Sequence, residues 1–320
     1  MKDKIEKNFK NLDEQVNILK FKGLQINDEN YAKKVLLREN YFFLMGYRHL
    51  FMEPGDKHFV KGATFEELYS LFLFDRSIRN VLFKYILVIE NNLKSITSYQ
   101  LSKKYGYKEK DYLKAKNFTP DPNKQAQLND LLKKMKRQIR VNGSQHSATQ
   151  HYVSNYGYIP MWILVKVLSF GIVSEMFSIL KPEDQKDIAN AYDIDTNSLI
   201  VYLPILANYR NLCAHEDILY ENKTQKLIDD TVYHKLLNIK QEDELYTQGK
   251  NDVFALIIIM KQLLNNDDFK NMTFELDHII ETLNFNLRTI SINKVLNRMG
   301  FPDNWKNLSS IERSKDLDEA

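Results

Sequence analysis

Residues that interrupt helices are scarce in this sequence. Only 10 glycines and 7 prolines occur among its 320 residues, which favours long helices over a turn-rich sheet protein. The single cysteine, Cys213, can form no intramolecular disulfide, which fits a reducing cytoplasm. The most apolar runs, residues 159–167 and 254–260, are shorter than the roughly 18 residues that a membrane span needs. We therefore expect an all-α, cytoplasmic protein that does not enter a membrane.

Motifs of several enzyme classes are also missing. The sequence has no glycine-rich phosphate loop, no paired cysteines and no Gly-x-Ser-x-Gly nucleophile. His146 and His151 lie close together, but no cysteine or carboxylate stands near them at the spacing of a metal site. We expect neither a metal ion nor a cofactor.

Apolar residues recur at helical spacing through most of the chain. Thr64-Phe-Glu-Glu67 is a capping box and predicts a long helix that continues to about residue 101. Tyr41, Phe42 and Phe43 are expected in the core. Further helices are expected at residues 1–25 (with Ile5 on the apolar face), 31–45, 126–139, 161–180, 199 to beyond 215, 252–264, 274–283 and 290–299, with a loop at 235–251 and a frayed end at 309–320.

The formal net charge of +3 conceals a basic segment at residues 94–140. This segment contains 13 Lys and Arg against 4 Asp and Glu, so the rest of the chain carries a net charge of −6. Aromatic residues alternate with its lysines, as in surfaces that bind phosphates and stack bases. A solvated pair of lysine-rich helices, or a surface for an acidic protein, would have the same composition. The residues expected to contact RNA are Lys103, Lys104, Lys133, Lys134, Lys136, Arg137 and Arg140.

The stretch at residues 208–217 concentrates polar chemistry within a predicted helix. It contains Arg210, Asn211 and His215. At about 100° per residue, Asn211 and His215 lie roughly 40° apart on the helix surface, whereas Arg210 lies roughly 140° from His215. Arg210 must therefore reach around the helix, or serve a site that a second chain completes.

These residue types suit RNA cleavage without a metal ion. An imidazole can take the proton of a ribose 2′-hydroxyl, or give one to the leaving 5′-oxygen, which is the role expected of His215. Arg210 can hold phosphate oxygens as charge develops, and Asn211 can orient the imidazole or contact phosphate. One histidine per chain is few for both acid and base catalysis, so we expect two motifs to meet in a homodimer.

The spacing of arginine and histidine has little specificity by itself. Arg140 and His146 repeat it, but they span a turn sequence at residues 142–144, so that copy is discounted. From spacing alone, Arg210 and His215 could equally belong to a helix whose polar face is satisfied by its neighbours.

Residues 210–215, followed by Leu219 and Tyr220, resemble the signature of the Abi-like (abortive infection, AbiD/AbiF) bacterial proteins. Three further blocks resemble that family in the expected order, and together the four blocks extend over roughly residues 30–225. The further blocks are residues 40–47, residues 74–79 with 89–95, and residues 160–162 with 168–171.

The Abi-like proteins belong to the wider group of HEPN domains, which includes ribonuclease toxins. The resemblance therefore implies a HEPN-type helical bundle at residues 64–234, with the basic segment as an insertion, between helical segments at 1–63 and 235–320. It implies an endoribonuclease that cuts single-stranded RNA, acts as an anti-phage toxin and is restrained by an RNA or protein antitoxin. It also implies that Glu90 faces Arg210 and that Arg79 supports the site, although Glu90 could instead be a surface carboxylate.

Three positions depart from the family pattern. Lys166 stands where an acidic residue is common, and Glu216 and Ile218 stand where a second histidine and an arginine are common. Arg210 and His215 are intact, so these departures concern substrate grip and dimer contacts. Two other interpretations stay open, a non-catalytic RNA-binding or regulatory protein and a helical protein-interaction module.

Overall fold

The computed structural model describes residues 8–312, so the expected helical position Ile5 and most of the expected frayed end at 309–320 lie outside the described residues. Within that range the protein has fifteen α-helices and one short β-hairpin, which confirms the all-α prediction. None of the helices between residues 8 and 312 combines the length and hydropathy that a membrane crossing requires.

The N-terminal part contains three short α-helices and one 3₁₀ helix. They are α1 (Leu12–Phe21), α2 (Glu29–Glu39), α3 (Tyr41–Met45) and the 3₁₀ helix Arg48–Phe51. The central part contains eight α-helices, α4 (Phe65–Tyr105), α5 (Glu109–Tyr112), α6 (Gln125–Asn142), α7 (Ser147–Tyr156), α8 (Met161–Val167), α9 (Phe170–Ser178), α10 (Pro182–Asn190) and α11 (Thr196–Ala214), with 3₁₀ helices at Ala115–Asn117 and Pro122–Lys124.

The C-terminal part contains four α-helices and the hairpin. Its elements are α12 (Val232–Leu236), β1 (Gln241–Glu242), β2 (Leu245–Tyr246), α13 (Val253–Leu263), α14 (Asn266–Asn286), α15 (Ile292–Arg298) and the 3₁₀ helix Trp305–Ser309. Residues 235–251 were expected to form a loop, and the antiparallel hairpin β1–β2 lies within it. Asp243 and Glu244 form its two-residue turn with positive φ, the conformation that such tight hairpins require.

Helix α4 is the axis of the fold. Its capping box forms as predicted, because the Thr64 hydroxyl accepts the Glu67 N–H at 3.2 Å and the Glu67 carboxylate accepts the Thr64 N–H at 3.3 Å. The helix runs for 41 residues, about 60 Å at 1.5 Å per residue, and ends at Gly106, whose φ is 89°. Helices α8, α11 and α14 pack along it. Because α4 is so long, helices that pack near its start lie far from those that pack near its end.

The C-terminal part is joined to the start of α4. Glu67 Oε1 accepts the backbone N–H groups of Arg288 at 2.6 Å and Thr289 at 2.5 Å. Helix α13 is apolar on every side and is buried against α4, α11 and α14, as such a helix must be. Residues beyond the motif therefore complete the core around α4.

Three local predictions were wrong. The helix expected at residues 31–45 is two helices, because Asn40 adopts φ 67° between α2 and α3. Residues 161–180 form two helices, because Ser169 has an extended backbone and caps α9 by accepting the Ile172 N–H. Phe42 and Phe43, expected in the core, project from α3 into solvent, while the following residues Leu44 and Met45 take the buried face. A five-residue helix can bury only one side. In α3 the two phenylalanines lie on the side that faces solvent.

Candidate functional site

The motif lies at the carboxyl end of α11. Asp195 caps the start of this helix by accepting the Ser198 N–H at 2.9 Å. The helix ends at Ala214 instead of continuing past His215, because Glu216 adopts φ 57°. The Asp217 N–H donates to Leu212 O at 3.1 Å, which closes a Schellman turn. His215 therefore stands at the helix cap.

The two sides of the motif differ sharply in exposure. Tyr209, Leu212 and Cys213 are buried in the core, whereas Asn211 and His215 are exposed. Among the described residues, neither the His215 ring nor the Asn211 side chain has a hydrogen-bond partner. Burial raises the pKa of the Cys213 thiol to about 12, so this residue serves packing and not thiol chemistry.

Arg210 lies against α4. Its Nε is 3.6 Å from Glu90 Oε2, too far for a hydrogen bond, and its guanidinium carbon is 5.7 Å from the centre of the Phe83 ring. Glu90 is buried, so the alternative of a surface carboxylate is wrong. Its other oxygen accepts from Lys94 Nζ at 2.6 Å. The Arg210 side chain keeps 32% of its surface exposed and remains available to a ligand.

A buried polar network holds the chain directly after His215. The two oxygens of Asp75 accept the backbone N–H groups of Leu219 at 3.1 Å and Tyr220 at 2.7 Å. The Tyr47 hydroxyl donates to Asp75 at 2.8 Å, and Arg79 forms an ion pair with the same carboxylate. Four donors thus converge on one carboxylate and fix the loop position.

Arg79 extends this network to the loop backbone. It lies in the interior, and its Nη1 donates to Asp217 O at 3.2 Å. Burial raises the pKa of Asp75, and the charge of Arg79 opposes that shift. Burial also raises the pKa of Tyr47, which keeps its hydroxyl protonated as a donor. Arg79 therefore positions the loop and does not face substrate.

The network joins three of the blocks that resemble the Abi-like pattern. Tyr47 comes from the first block, Asp75 and Arg79 from the second, and the loop at 217–220 from the motif block. Gly46 adds a contact between the first and last of these, since a Cβ there would collide with the Ile218 side chain. Ile218, one of the departures, is thus a packing residue.

A cleft of about 1520 Å³ opens beside His215. It lies between α3, the 3₁₀ helix after it and the loop at 214–218, and we call it the His215 cleft. On its floor Arg76 forms a bidentate pair with Glu39, with Nη2 to Oε2 at 2.7 Å, and lies 3.7 Å from Glu216. The hydrogen bonds from Arg76 lower the pKa of Glu39. Arg210 does not line this cleft.

The part of the basic segment on α4 runs away from His215. Arg79 and Lys103 are 24 residues apart in α4, which at about 1.5 Å per residue places Lys103 roughly 36 Å from the network behind His215. Lys104 donates to Asp184 at 2.5 Å and Lys134 to Glu175 at 2.9 Å, so these two lysines are already paired. The remaining candidates are exposed, and they are Lys103 on α4 and Lys133, Lys136, Arg137 and Arg140 on α6.

Metal-binding side chains are not grouped in the described part of the chain. There, no three His, Cys, Asp or Glu side chains lie close enough together to hold an ion, His146 and His151 included. His146 instead caps α7, and the His151 ring contacts Asn155.

Comparison with known proteins gives one positive result. No curated protein and no solved structure matched the chain. The family model described as Abi-like protein matches residues 34–221, a span that includes the buried network, Glu90 and the whole of α11. This match covers more than half of the sequence, so the chain belongs to the Abi-like family, which points to a function of the abortive-infection type.

Proposed function

We propose that the protein is a metal-independent endoribonuclease of an abortive-infection system, which cuts single-stranded RNA and leaves a 2′,3′-cyclic phosphate and a 5′-hydroxyl. His215 moves the proton, Arg210 binds the phosphate and Asn211 orients one or both. Glu90 holds Arg210 against α4. The enzyme acts in the cytoplasm as a toxin that an RNA or protein antitoxin restrains until infection.

The observation that carries this proposal is the exposure of the motif side chains Asn211 and His215 at the end of a helix whose other face is packed in the core. Asn211 and His215 are exposed without a hydrogen-bond partner in residues 8–312, while their neighbours Leu212 and Cys213 are packed in the core. The alternative of a polar face satisfied by neighbouring residues would require hydrogen bonds that these two side chains do not make within residues 8–312. Polar side chains held at a rigid helix end, yet free of partners, suit contact with a ligand.

A dimer accounts for the separation of Arg210 and His215. Arg210 contacts Glu90 on α4, whereas His215 lines a cleft that Arg210 does not line, so the two side chains of one chain face different surroundings. A phosphate held by Arg210 of one copy would meet His215 of a second copy in a shared cleft. Such a pairing gives a two-fold dimer two equivalent sites, each with Arg210 of one copy and His215 of the other.

The test is cleavage of end-labelled single-stranded RNA in excess EDTA. We expect the wild-type protein to cut and His215→Ala to lose about 10²–10⁴-fold of the rate, the usual contribution of general acid–base catalysis. His151→Ala is the matched control, because His151 is another exposed histidine, on α7, and should leave the rate unchanged.

Two results would contradict the proposal. Equal cutting by the wild type and His215→Ala would mean a contaminant or another site. Binding of RNA by both proteins without any cutting would identify a non-catalytic RNA-binding protein. Mass analysis of the products distinguishes a cyclic phosphate from the ends left by other mechanisms.

A further inference from the structure

We propose that the His215 cleft is the RNA-binding path, with Phe42 and Phe43 stacking on unpaired bases and Arg38 and Arg48 contacting phosphates. This inference rests on the proposed function and moves the substrate surface away from the basic segment at 94–140. The volume of about 1520 Å³ exceeds the roughly 300–1,000 Å³ of small-molecule pockets, which favours a polymer as occupant.

Phe42 and Phe43 form a fixed aromatic platform at the cleft. Their side chains are 76% and 60% exposed, and their rings meet edge to face with centroids 6.2 Å apart. Asn40 holds the start of α3 through its side chain, which accepts the Phe42 N–H at 2.8 Å. Leu44, directly after the pair, is buried and anchors the helix. Adjacent phenylalanines kept in solvent on an anchored helix are suited to stacking with bases.

The cleft also carries cations that the protein does not neutralise. Its lining contains seven Lys and Arg residues against five Asp and Glu. Arg76 and Arg79 are paired with Glu39 and Asp75 and are not available. The cationic lining residues are Lys22, Arg38, Arg48, Lys57, Arg76, Arg79 and Lys294, and the acidic ones are Glu39, Glu53, Asp56, Glu216 and Asp217.

The two arginines that flank the aromatic pair are available. Arg38, at the end of α2, and Arg48, just after α3, make no ion pair with any residue between 8 and 312, although Arg48 donates to the backbone of Met45 at 2.6 Å. Guanidinium groups that line the same cleft as a pair of exposed aromatic rings suit a single strand, in which phosphates and bases alternate. His215 opens into the same space, so a strand lying on this rim passes the imidazole.

The chemistry favours a single RNA strand over other occupants. Base-paired RNA keeps its base faces stacked inside the helix and offers nothing to exposed phenylalanines. The core of an interface with a second copy would be depleted of charge, and this lining has charged residues throughout.

The experiment measures binding of a short fluorescent, fully 2′-O-methylated RNA, which keeps its bases and phosphates but has no attacking hydroxyl. We expect Phe42→Ala/Phe43→Ala to weaken binding at least about tenfold, since stacking contributes about 1–3 kcal/mol per base. Phe42→Tyr/Phe43→Tyr keeps both aromatic rings and should bind the RNA about as well as the wild type. The matched control is Phe274→Ala/Phe285→Ala, which removes two phenylalanines that are 76% and 75% exposed on α14.

A salt titration tests the binding of phosphates by the two arginines. Arg38→Ala/Arg48→Ala should lower the slope of log affinity against log salt by about 1.4, because each phosphate neutralised on a single strand adds about 0.7 to that slope. The control is Lys186→Ala/Lys270→Ala, which removes two exposed lysines on α10 and α14 and should leave the slope close to that of the wild type. Sedimentation of each variant records its oligomeric state.

The outcomes separate this inference from the proposed function. If the Phe42/Phe43 variant binds like the wild type, or both phenylalanine pairs weaken binding equally, or the wild type binds no RNA, the cleft is not the RNA path. Loss of self-association with RNA affinity intact would make the platform an interface between copies and would also overturn it. Binding that depends on Phe42 and Phe43, together with no cutting of unmodified RNA, would support the path and refute the nuclease.

Discussion

The two sides of the motif helix α11 are built differently. On the side of His215, Asp75 accepts four donors and ties down the chain that follows the histidine. On the side of Arg210, the contact is a single ion pair with Glu90 at 3.6 Å, outside hydrogen-bond distance. The first side is fixed from within the core, and the second keeps freedom to move.

This difference matches the two tasks proposed for these residues. A group that transfers a proton must be held within hydrogen-bond reach of its target, and a buried network is an effective means of holding it. A group that binds a phosphate as charge develops can close on its ligand, and Arg210 retains the exposure for that movement. Arg210 and His215 also lie on different sides of the helix, so the first test asks whether they act together in one site.

The largest expected effect comes from mixing two inactive proteins. If the site combines Arg210 of one copy with His215 of another, Arg210→Ala and His215→Ala should each be inactive alone. Unfolding and refolding them together would form mixed dimers, half of all dimers at equal amounts, each with one intact site. We expect about a quarter of the wild-type rate, since a two-fold dimer contains two equivalent sites.

A double variant provides the control for the mixing experiment. Arg210→Ala/His215→Ala mixed with the wild type places both changes in one chain and leaves no composite site intact in the mixed dimer. Failure of the two single variants to complement, with dimers present in sedimentation, would place Arg210 and His215 of one chain in one site and remove the argument for a shared cleft.

The next effect concerns the stability of the His215 side. Asp75→Asn keeps the shape of the side chain but leaves the buried Arg79 charge unpaired, which should cost about 3–5 kcal/mol. Urea unfolding measures the loss. Hydrogen exchange should rise at residues 217–220 and stay low in α6. Asp217→Asn is the control, because its exposed side chain has no partner among the described residues, and it should change stability by less than about 0.5 kcal/mol.

Much of this architecture follows from rules that act over a few residues. The capping box at Thr64 begins α4 as predicted, and Asp195 caps the motif helix. The angular separation of Arg210 and His215 needs only the helical repeat, and the two side chains do have different surroundings. Neighbours in sequence decide such features, so one sequence is enough to predict them.

The errors arise where distant residues decide the outcome. Arginine is rarely buried, yet Arg79 is buried because Asp75 and the loop carbonyl of Asp217, 138 residues away in the chain, satisfy it. Phe42 and Phe43 have the composition of core residues but lie on the open side of a short helix. No local pattern distinguishes these cases.

The basic segment shows the same limit. Its alternation of aromatic and basic residues predicted an RNA surface, but Tyr112 and Phe118 are buried in the core. Lys104 is held by Asp184 from α10, which the local sequence could not reveal. The interleaving of residue types in a sequence does not say which of them share a surface.

The smallest expected effect tests whether the Arg210 side is as loosely built as its geometry indicates. Glu90→Gln leaves the buried Lys94 ammonium without its charged acceptor at 2.6 Å and should cost about 1.5–3 kcal/mol. Arg210→Gln removes only a partly exposed ion pair at 3.6 Å and should cost less than about 1 kcal/mol, although we expect it to abolish the proposed cleavage. Urea unfolding of both variants measures these costs. Equal losses would mean that the contact of Arg210 with Glu90 stabilises the fold as much as the buried contact of Lys94 with Glu90. The Arg210 side chain would then be part of the folded framework, and the proposal of a mobile phosphate-binding arginine would be wrong.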